Sequence, residues 1–301
     1  MRFIAAASIF VLTFASLPAM AKNVDVIPLS KTSKWVINYS PDSCQLLGTF
    51  GSGAQRVILK FTREQPGDDF SLELIGQPLK STGTSKLVEL TFGLDGTRFD
   101  ADGVPMTLSD AEKLPLIRFS KLRLDEQEVK NQSGPIPSVT LAREAAVTAI
   151  AFKMGFGKRY QLQTGSMGPP MAALRTCTDA LIRSWGYDPA VLGNLRRPAT
   201  PTTSITTWVR GDDFPEKAWM KGHNGLVKFR LDVDAGGVPQ GCSVLYRTNP
   251  DDFADQTCKV IIQRARFLPA LDSKGLPVKS LFINNVRYVS PKDWNFEFSP
   301  P

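Results

Sequence analysis

The chain has 301 residues, 42% hydrophobic and 22% charged, with 36 Lys and Arg against 29 Asp and Glu for a formal charge of +7. That apolar fraction excludes a chain disordered throughout, and 23 Gly and 22 Pro without a period exclude collagen and coiled coil. The length suits two domains of ordinary size, and a single His leaves little room for imidazole chemistry.

The first segment reads as an export signal. Arg2 precedes a 15-residue apolar run from Phe3 to Leu17, Pro18 breaks it, and Ala19-Met20-Ala21 supplies a small-x-small processing site. The run is shorter than the roughly 17–25 residues that cross a bilayer. Residues 1–21 are therefore expected to be cleaved after Ala21, leaving Lys22–Pro301. No later stretch has membrane-spanning length, so the mature chain is expected not to span a membrane. Export also bears on Cys44, Cys177, Cys242 and Cys258, which are expected to form two disulfides. Three pairings are formally possible.

Trp35, Ile37 and Tyr39 alternate with polar neighbours, as in a short strand. Strand cores follow at Val57–Phe61, at Phe70, Leu72 and Leu74, and over Leu87–Phe92, Val104–Leu108 and Leu116–Leu122. Turn pairs such as Asp95-Gly96 and Asp102-Gly103 separate them, a pattern predicting antiparallel sheet. A helix is expected near Val139–Ala149, and another after Gly165–Pro170. In the second, Leu174, Cys177, Leu181 and Trp185 recur at three and four and form one buried stripe. A thiol on that face is well placed to bridge to Cys44 beside a strand, a closure worth on the order of 4–5 kcal/mol in the chain-entropy model. These elements make a strand-rich N-terminal α+β domain with two helices, residues 22–196. The polar, proline-bearing stretch 197–212 reads as a short linker before a C-terminal domain at 213–301.

That last domain has the cleanest patterning. Phe214-Pro215-Glu216-Lys217-Ala218-Trp219 suggests a helical turn, and Val227, Phe229, Leu231 and Val233 form the dry face of a strand. Asp234–Gly237 supplies a hairpin, and Cys242, Val244 and Tyr246 share one side of the returning strand. Asn249 can cap a helix whose first residue is Pro250, and along it Ala254, Cys258, Ile261 and Ala265 share a face. Strand-to-helix packing brings Cys242 to Cys258, a bridge worth roughly 3 kcal/mol. Leu281–Val289 is the final strand.

Phe214-Pro215, Gly225-Leu226-Val227, Phe229 to Asp234, Gly237-Val238 and Cys242-Ser243-Val244 stand in an order that resembles the TonB C-terminal domain family. Arg264-Ala265-Arg266-Phe267, Pro269-Ala270 and Lys274 to Val278 continue the resemblance, which covers about 213–290 and its exported two-cysteine branch. It implies a three-stranded antiparallel sheet packed on helices, a Gram-negative periplasmic location, and binding of a protein or peptide segment, such as that of an outer-membrane receptor, by strand addition at a sheet edge. Carried onto this chain, the contacts fall on Leu281, Ile283, Asn284, Asn285, Arg287 and Val289, with Phe282, Val286 and Tyr288 facing inward. The N-terminal domain resembles a companion region that brings no function with it.

Two other readings remain open. An uncleaved leader would make the chain a membrane-anchored energy transducer for outer-membrane receptors, although a folded domain stands where such a rod has its Pro-rich spacer. A hydrolase-type activity in the N-terminal domain is the other. Its candidates are thin: Ser166 lacks the G-x-S-x-G context, His223 is the sole imidazole, and Asp95-Gly96-Thr97 has no second copy. Asp232-Val233-Asp234 begins like a calcium loop, but Ser243 stands where the closing Glu belongs. No catalytic residue, metal or cofactor is therefore assigned, and the basic excess is too spread out for a nucleic-acid surface.

Overall fold

The computed structural model describes residues 26–80, 87–108, 112–126, 137–248 and 252–290. The leader, its processing site and the Asn249-Pro250 helix start lie outside them.

The N-terminal unit opens with β1 (Val26–Ser30), β2 (Val36–Tyr39), β3 (Cys44–Phe50), β4 (Val57–Arg63) and β5 (Phe70–Ile75). Next come β6 (Leu87–Phe92), β7 (Phe99–Asp102), β8 (Val104–Thr107) and β9 (Pro115–Leu122). The helix α1 (Leu141–Ala146), the hairpin β10 (Ile150–Met154) and β11 (Arg159–Gln163), α2 (Gly168–Ser184) and the single turn α3 (Pro189–Leu192) complete it. The strands form two sheets, ordered β2-β3-β4-β5-β9-β8 and β1-β11-β10-β6-β7. Period-two alternation gives each a dry face. Leu46, Leu59, Leu72 and Phe119 from the first meet Leu90, Phe152 and Leu162 from the second in one core. Pairing is antiparallel as expected except at β1, which runs parallel to β11.

Two helix expectations change in detail. The helix expected over 139–149 is capped by the Thr140 hydroxyl and ends at Ala146. Beyond it the chain runs as strand because its carbonyls are taken up elsewhere: Val147 and Thr148 accept from Met167 and Gly165, and Ala149 accepts from Gly93. In α2, Leu174, Cys177 and Leu181 are buried as the spacing predicts. Trp185 stands at the C-cap, half-buried, and donates its indole N–H to the Pro41 carbonyl. Cys177 bridges to Cys44 on β3, with the Cα atoms 5.8 Å apart.

The C-terminal unit contains the two-residue β12 (Thr200–Pro201), α4 (Glu216–Lys221), β13 (Gly225–Val233), β14 (Pro239–Arg247) and α5 (Asp252–Arg264). The short β15 (Phe267–Leu268), β16 (Ala270–Leu271) and β17 (Pro277–Val278) lead to the long β18 (Ser280–Tyr288). The principal sheet has the order β14-β13-β18, so among the described residues β18 pairs on one side only. The β13–β14 hairpin closes through Gly237 at φ +83°, where a Cβ would sit 2.0 Å from the Phe267 carbonyl oxygen; only glycine fits. Cys258 of α5 bridges to Cys242 of β14 with Cα atoms 5.6 Å apart. The buried stripe of α5 also includes Phe253, Thr257 and Val260.

The stretch expected to link the domains lies packed against the C-terminal unit. Thr200-Pro201 pairs with β15, and Ala199 and Trp208 are buried in a core with Phe229, Leu231, Ile261 and Phe267. Its mixed polar composition hides these anchors because they follow neither a helical nor a strand period.

The face of the C-terminal sheet away from α5 turns toward the N-terminal unit. Lys228 reaches Glu64 at 2.6 Å, the Arg118 guanidinium stacks on Tyr246 at 4.5 Å, and Arg230 stacks on Trp185 at 4.0 Å. The Tyr187 hydroxyl lies 2.8 Å from an Asp232 carboxylate oxygen and 3.2 Å from the Ser280 carbonyl. Burial, and then the bond to Asp232, raises the Tyr187 pKa above its ordinary value. Arg118 also pairs with the buried Glu73 at 2.7 Å, and Lys60 meets the other oxygen of that carboxylate at 2.6 Å. Lys228, Arg118 and Arg230 thus each enter this contact against an opposite charge or an aromatic face.

Candidate functional site

The exposed side of β18 is the feature on which the rest converges. Its pairing with β13 runs without a break from Gly225 opposite Tyr288 to Val233 opposite Ser280. Backbone direction follows from one pair of bonds at the start of β13. The Leu226 N–H donates to the Thr248 hydroxyl, and the Leu226 carbonyl accepts from the Thr248 N–H. Leu226, Lys228 and Arg230 therefore turn their peptide groups toward β14, while Val227, Phe229 and Leu231 turn theirs toward β18. Opposite these last three stand Val286, Asn284 and Phe282, which bond back to β13. The peptide groups of Leu281, Ile283, Asn285 and Arg287 then point away from the sheet, in the alternation an added strand requires. The Asn285 N–H bears this out: it donates to the Asn284 side-chain oxygen at 2.8 Å, not to β13.

Opposed residues share a face, so Phe282, Asn284, Val286 and Tyr288 lie on the α5 side with Leu231, Phe229, Val227 and Gly225. Three of these, Phe282, Val286 and Tyr288, pack into the core clusters. Asn284 is on this face and not with the other polar residues of the strand. Leu281, Ile283, Asn285 and Arg287 lie on the opposite face, and Val289 stands one residue past the strand, 37% exposed. At the far end, Phe253 stacks on Tyr288 at 4.6 Å and covers Gly225, where a Cβ would meet the Phe253 ring at 2.3 Å.

Beside the free edge, on the α5 side, is a groove of about 480 Å³. Its lining joins Trp208, Val209, Phe214, Phe229 and Ile261 with Arg210 and the strip from Asn284 to Val289. Toward the N-terminal unit, the same stretch of the edge at Asn284 and Asn285 also borders a cleft of about 310 Å³ with Asp100, Lys121 and Arg123. A strand laid along β18 would meet an apolar groove with one set of side chains and charged groups with the other.

The segment that carries Trp208, Val209 and Arg210 into the groove lining is held by an ion pair. Asp213 accepts from the Arg210 N–H at 2.7 Å and takes both terminal nitrogens of Arg264, one at 2.9 Å. Arg264 also donates to the Trp208 carbonyl at 2.9 Å, so this fork ties residues 208–213 to α5. The Arg264 hydrogen bond holds the Asp213 carboxyl below its ordinary pKa. Asp213→Asn should therefore lower the melting temperature by a few degrees at pH 7, where the native carboxylate is fully charged. A folded-state pKa below the unfolded value of about 3.9 confines the acid loss of this contribution to lower pH, as the native carboxyl protonates. Thermal melts of both proteins from pH 7 to pH 2 should converge at the acid end; a constant gap would refute the assignment.

The residues considered for chemistry are placed elsewhere and apart. His223 is exposed and donates its backbone N–H to Ala218. Ser166 donates its hydroxyl to the Ala145 carbonyl and accepts from the Gly168 N–H at the start of α2. The Asp234 carboxylate accepts from Gly236, Val238 and Gln240 and shapes the hairpin. Asp95 is exposed in a bend. Sequence reasoning missed Trp185 and Tyr187 as the residues that seat one unit on the other. Their aromatic spacing at a helix end was the available signal, and it reads equally well as core.

Residues 211–289 match the family model described as the Gram-negative bacterial TonB protein C-terminal region. No curated protein and no solved structure matches the chain. The match covers α4, β13, β14, α5 and β18, the elements that build the edge and its groove. A domain of this family is a protein-interaction module of the bacterial envelope, without enzymatic chemistry of its own. Among the described residues no helix is long and apolar enough to cross a membrane.

Proposed function

We propose that, with a TonB-type C-terminal domain as the starting point, this chain is a periplasmic, non-enzymatic binding module that takes an extended segment of a partner protein as an added strand on β18. The observation that carries this reading is the outward row of peptide groups at Leu281, Ile283, Asn285 and Arg287 beside an apolar groove. Backbone pairing along that row supplies affinity, and the groove selects large apolar side chains at every second position of the incoming segment. The periplasm-facing segment of an outer-membrane receptor is the partner that fits the family. Export through the cleavable leader 1–21 delivers the chain to the compartment where such segments hang and where both disulfides persist. The N-terminal unit, 22–196, acts here as a rigid support that covers the second face of the sheet.

Ile283→Pro isolates the edge. It removes an N–H that β13 does not use, and proline is tolerated on edge strands for that reason. The expected result is at least a roughly tenfold loss of affinity, about 1.4 kcal/mol, for synthetic peptides covering the periplasmic N-terminal segments of outer-membrane receptors. The melting temperature should change by no more than a few degrees. Phe282→Pro, which breaks a ladder bond, should instead unfold the unit. Undiminished peptide binding to Ile283→Pro would overturn strand addition at this edge.

A further inference from the structure

The hairpin between β10 and β11 turns through Met154-Gly155-Phe156-Gly157-Lys158. The Gly157 N–H donates to the Met154 carbonyl at 2.8 Å, and Gly155 at φ +47° takes the left-handed position that such a tight turn needs. The turn therefore asks nothing apolar of residue 156, where asparagine or serine would serve as well. Phe156 nonetheless stands there fully exposed, more so than any other large apolar side chain among the described residues. Two further exposed apolar residues share that end of the sheet. Leu87 begins β6, one residue before Val88, which pairs with Met154, and Val26 begins β1 opposite Arg159.

Beside the tip, Lys158 is exposed and Lys153 half-buried, and neither forms an ion pair among the described residues. The nearby carboxylates do not cancel them. Glu89, opposite Lys153, is held by Arg159 and lies 4.0 Å from Arg98. Asp100 and Asp102 stand on β7, two strands from β10 and so set back from the tip by about 10 Å.

We propose that the β10–β11 tip is a membrane-surface anchor: Phe156 enters the interfacial layer of a phospholipid bilayer, and Lys153 and Lys158 meet anionic headgroups beside it. A phenyl ring buries roughly 150–250 Å² when covered, and the headgroup boundary takes in apolar groups to about 5–10 Å depth without needing a shaped pocket. Each lysine near an anionic surface adds attraction that salt screens. Their long stems keep the ammonium groups at the headgroups while the ring goes deeper. A protein partner suits the tip less, because one ring flanked by glycines offers far less than the roughly 800 Å² per partner of a standard interface. A single anchor of this size binds reversibly. The tip belongs to the N-terminal unit, outside the matched residues 211–289, so the proposal stands apart from strand addition at β18 and gives that unit a second role.

The test is co-sedimentation of the chain Lys22–Pro301 with vesicles of phosphatidylethanolamine holding roughly 30% phosphatidylglycerol, at low salt. The leader is left out so that its apolar run does not itself bind lipid. Phe156→Ser should lower the partition coefficient at least about fivefold. Its melting temperature should stay within about a degree of the unaltered chain, since the ring is fully exposed. Replacing Lys153 and Lys158 together by Gln should lower partitioning by a similar factor at low salt and by little at about 0.5 M, whereas the loss in Phe156→Ser should persist there. Phe156→Trp should bind like the unaltered chain and add a blue-shifted emission that brominated lipid quenches. Equal partitioning of Phe156→Ser and the unaltered chain overturns the proposal, as does an unaltered chain that stays in the supernatant. A loss on lysine replacement alone means adhesion by basic charge without insertion, and overturns it too. Sedimentation with purified cell wall but not with vesicles would assign the tip to a polysaccharide and overturn the lipid reading. Receptor-segment peptides should bind Phe156→Ser and the unaltered chain equally, so the failure of either reading leaves the other in place.

Discussion

Replacing Cys44 and Cys177 together by alanine is expected to destabilise the N-terminal unit by about 4–5 kcal/mol. The bridge joins residues 133 apart, so its loss releases most of the unit to the conformational freedom of an open chain. It also joins two different layers, since Cys44 begins β3 and Cys177 lies on the buried stripe of α2. Both side chains are almost fully buried, so alanine removes the bond without stranding a hydroxyl in the core. The bridge between Cys242 and Cys258 closes only 16 residues, and its removal should cost about 3 kcal/mol, confined to the C-terminal unit. Urea unfolding followed by circular dichroism, with hydrogen exchange to assign the transition to each unit, measures both. A loss under about 1 kcal/mol for the first pair would mean that α2 is held on the sheet by packing alone.

Trp208→Ala is the second. Trp208 is 2% exposed, stands edge-on to Phe267 at 5.5 Å and to Phe282 at 5.7 Å, and donates its indole N–H to the Thr203 hydroxyl at 3.0 Å. Truncating a buried tryptophan costs about 3–5 kcal/mol through lost burial and the cavity left behind. The same change removes the largest side chain lining the groove, so binding of apolar receptor peptides should fall even below the temperature at which the variant unfolds. Trp208→Phe should recover most of the stability and part of the binding. If Trp208→Ala melts within about two degrees of the unaltered chain, residues 197–212 are a passive connection after all.

These two cases mark what is legible in a linear chain. Cys44 and Cys177 could be paired because each sits at an element whose buried face the periodicity reveals: a strand start in one case, a three-four stripe in the other. The C-terminal hairpin, its helix and the alternation along residues 281–289 were readable for the same reason, since period and turn chemistry are local. So was the family resemblance, which rests on short motifs in fixed order. Trp208 was not readable, because Ala199, Trp208 and Val209 are spaced by chance contact with a distant core and lie among prolines and threonines that look like a tether.

The amino-acid sequence by itself determined where the chain turns, which thiols can meet and which side chains are dry in strands of unbroken period. In β14 a register shift opposite Lys228 and Phe229 carries Tyr246 to the face of Lys228, away from Cys242 and Val244 with which the alternation grouped it. Only the tertiary structure decided which strands become neighbours. It placed β1 parallel to β11, left β18 at the end of its sheet, and set the Arg230–Trp185 and Lys228–Glu64 contacts that cover the other face. The physical reason is that a period of two names the faces of a strand and says nothing about its edges. A free edge exists only once every other strand has chosen its partner.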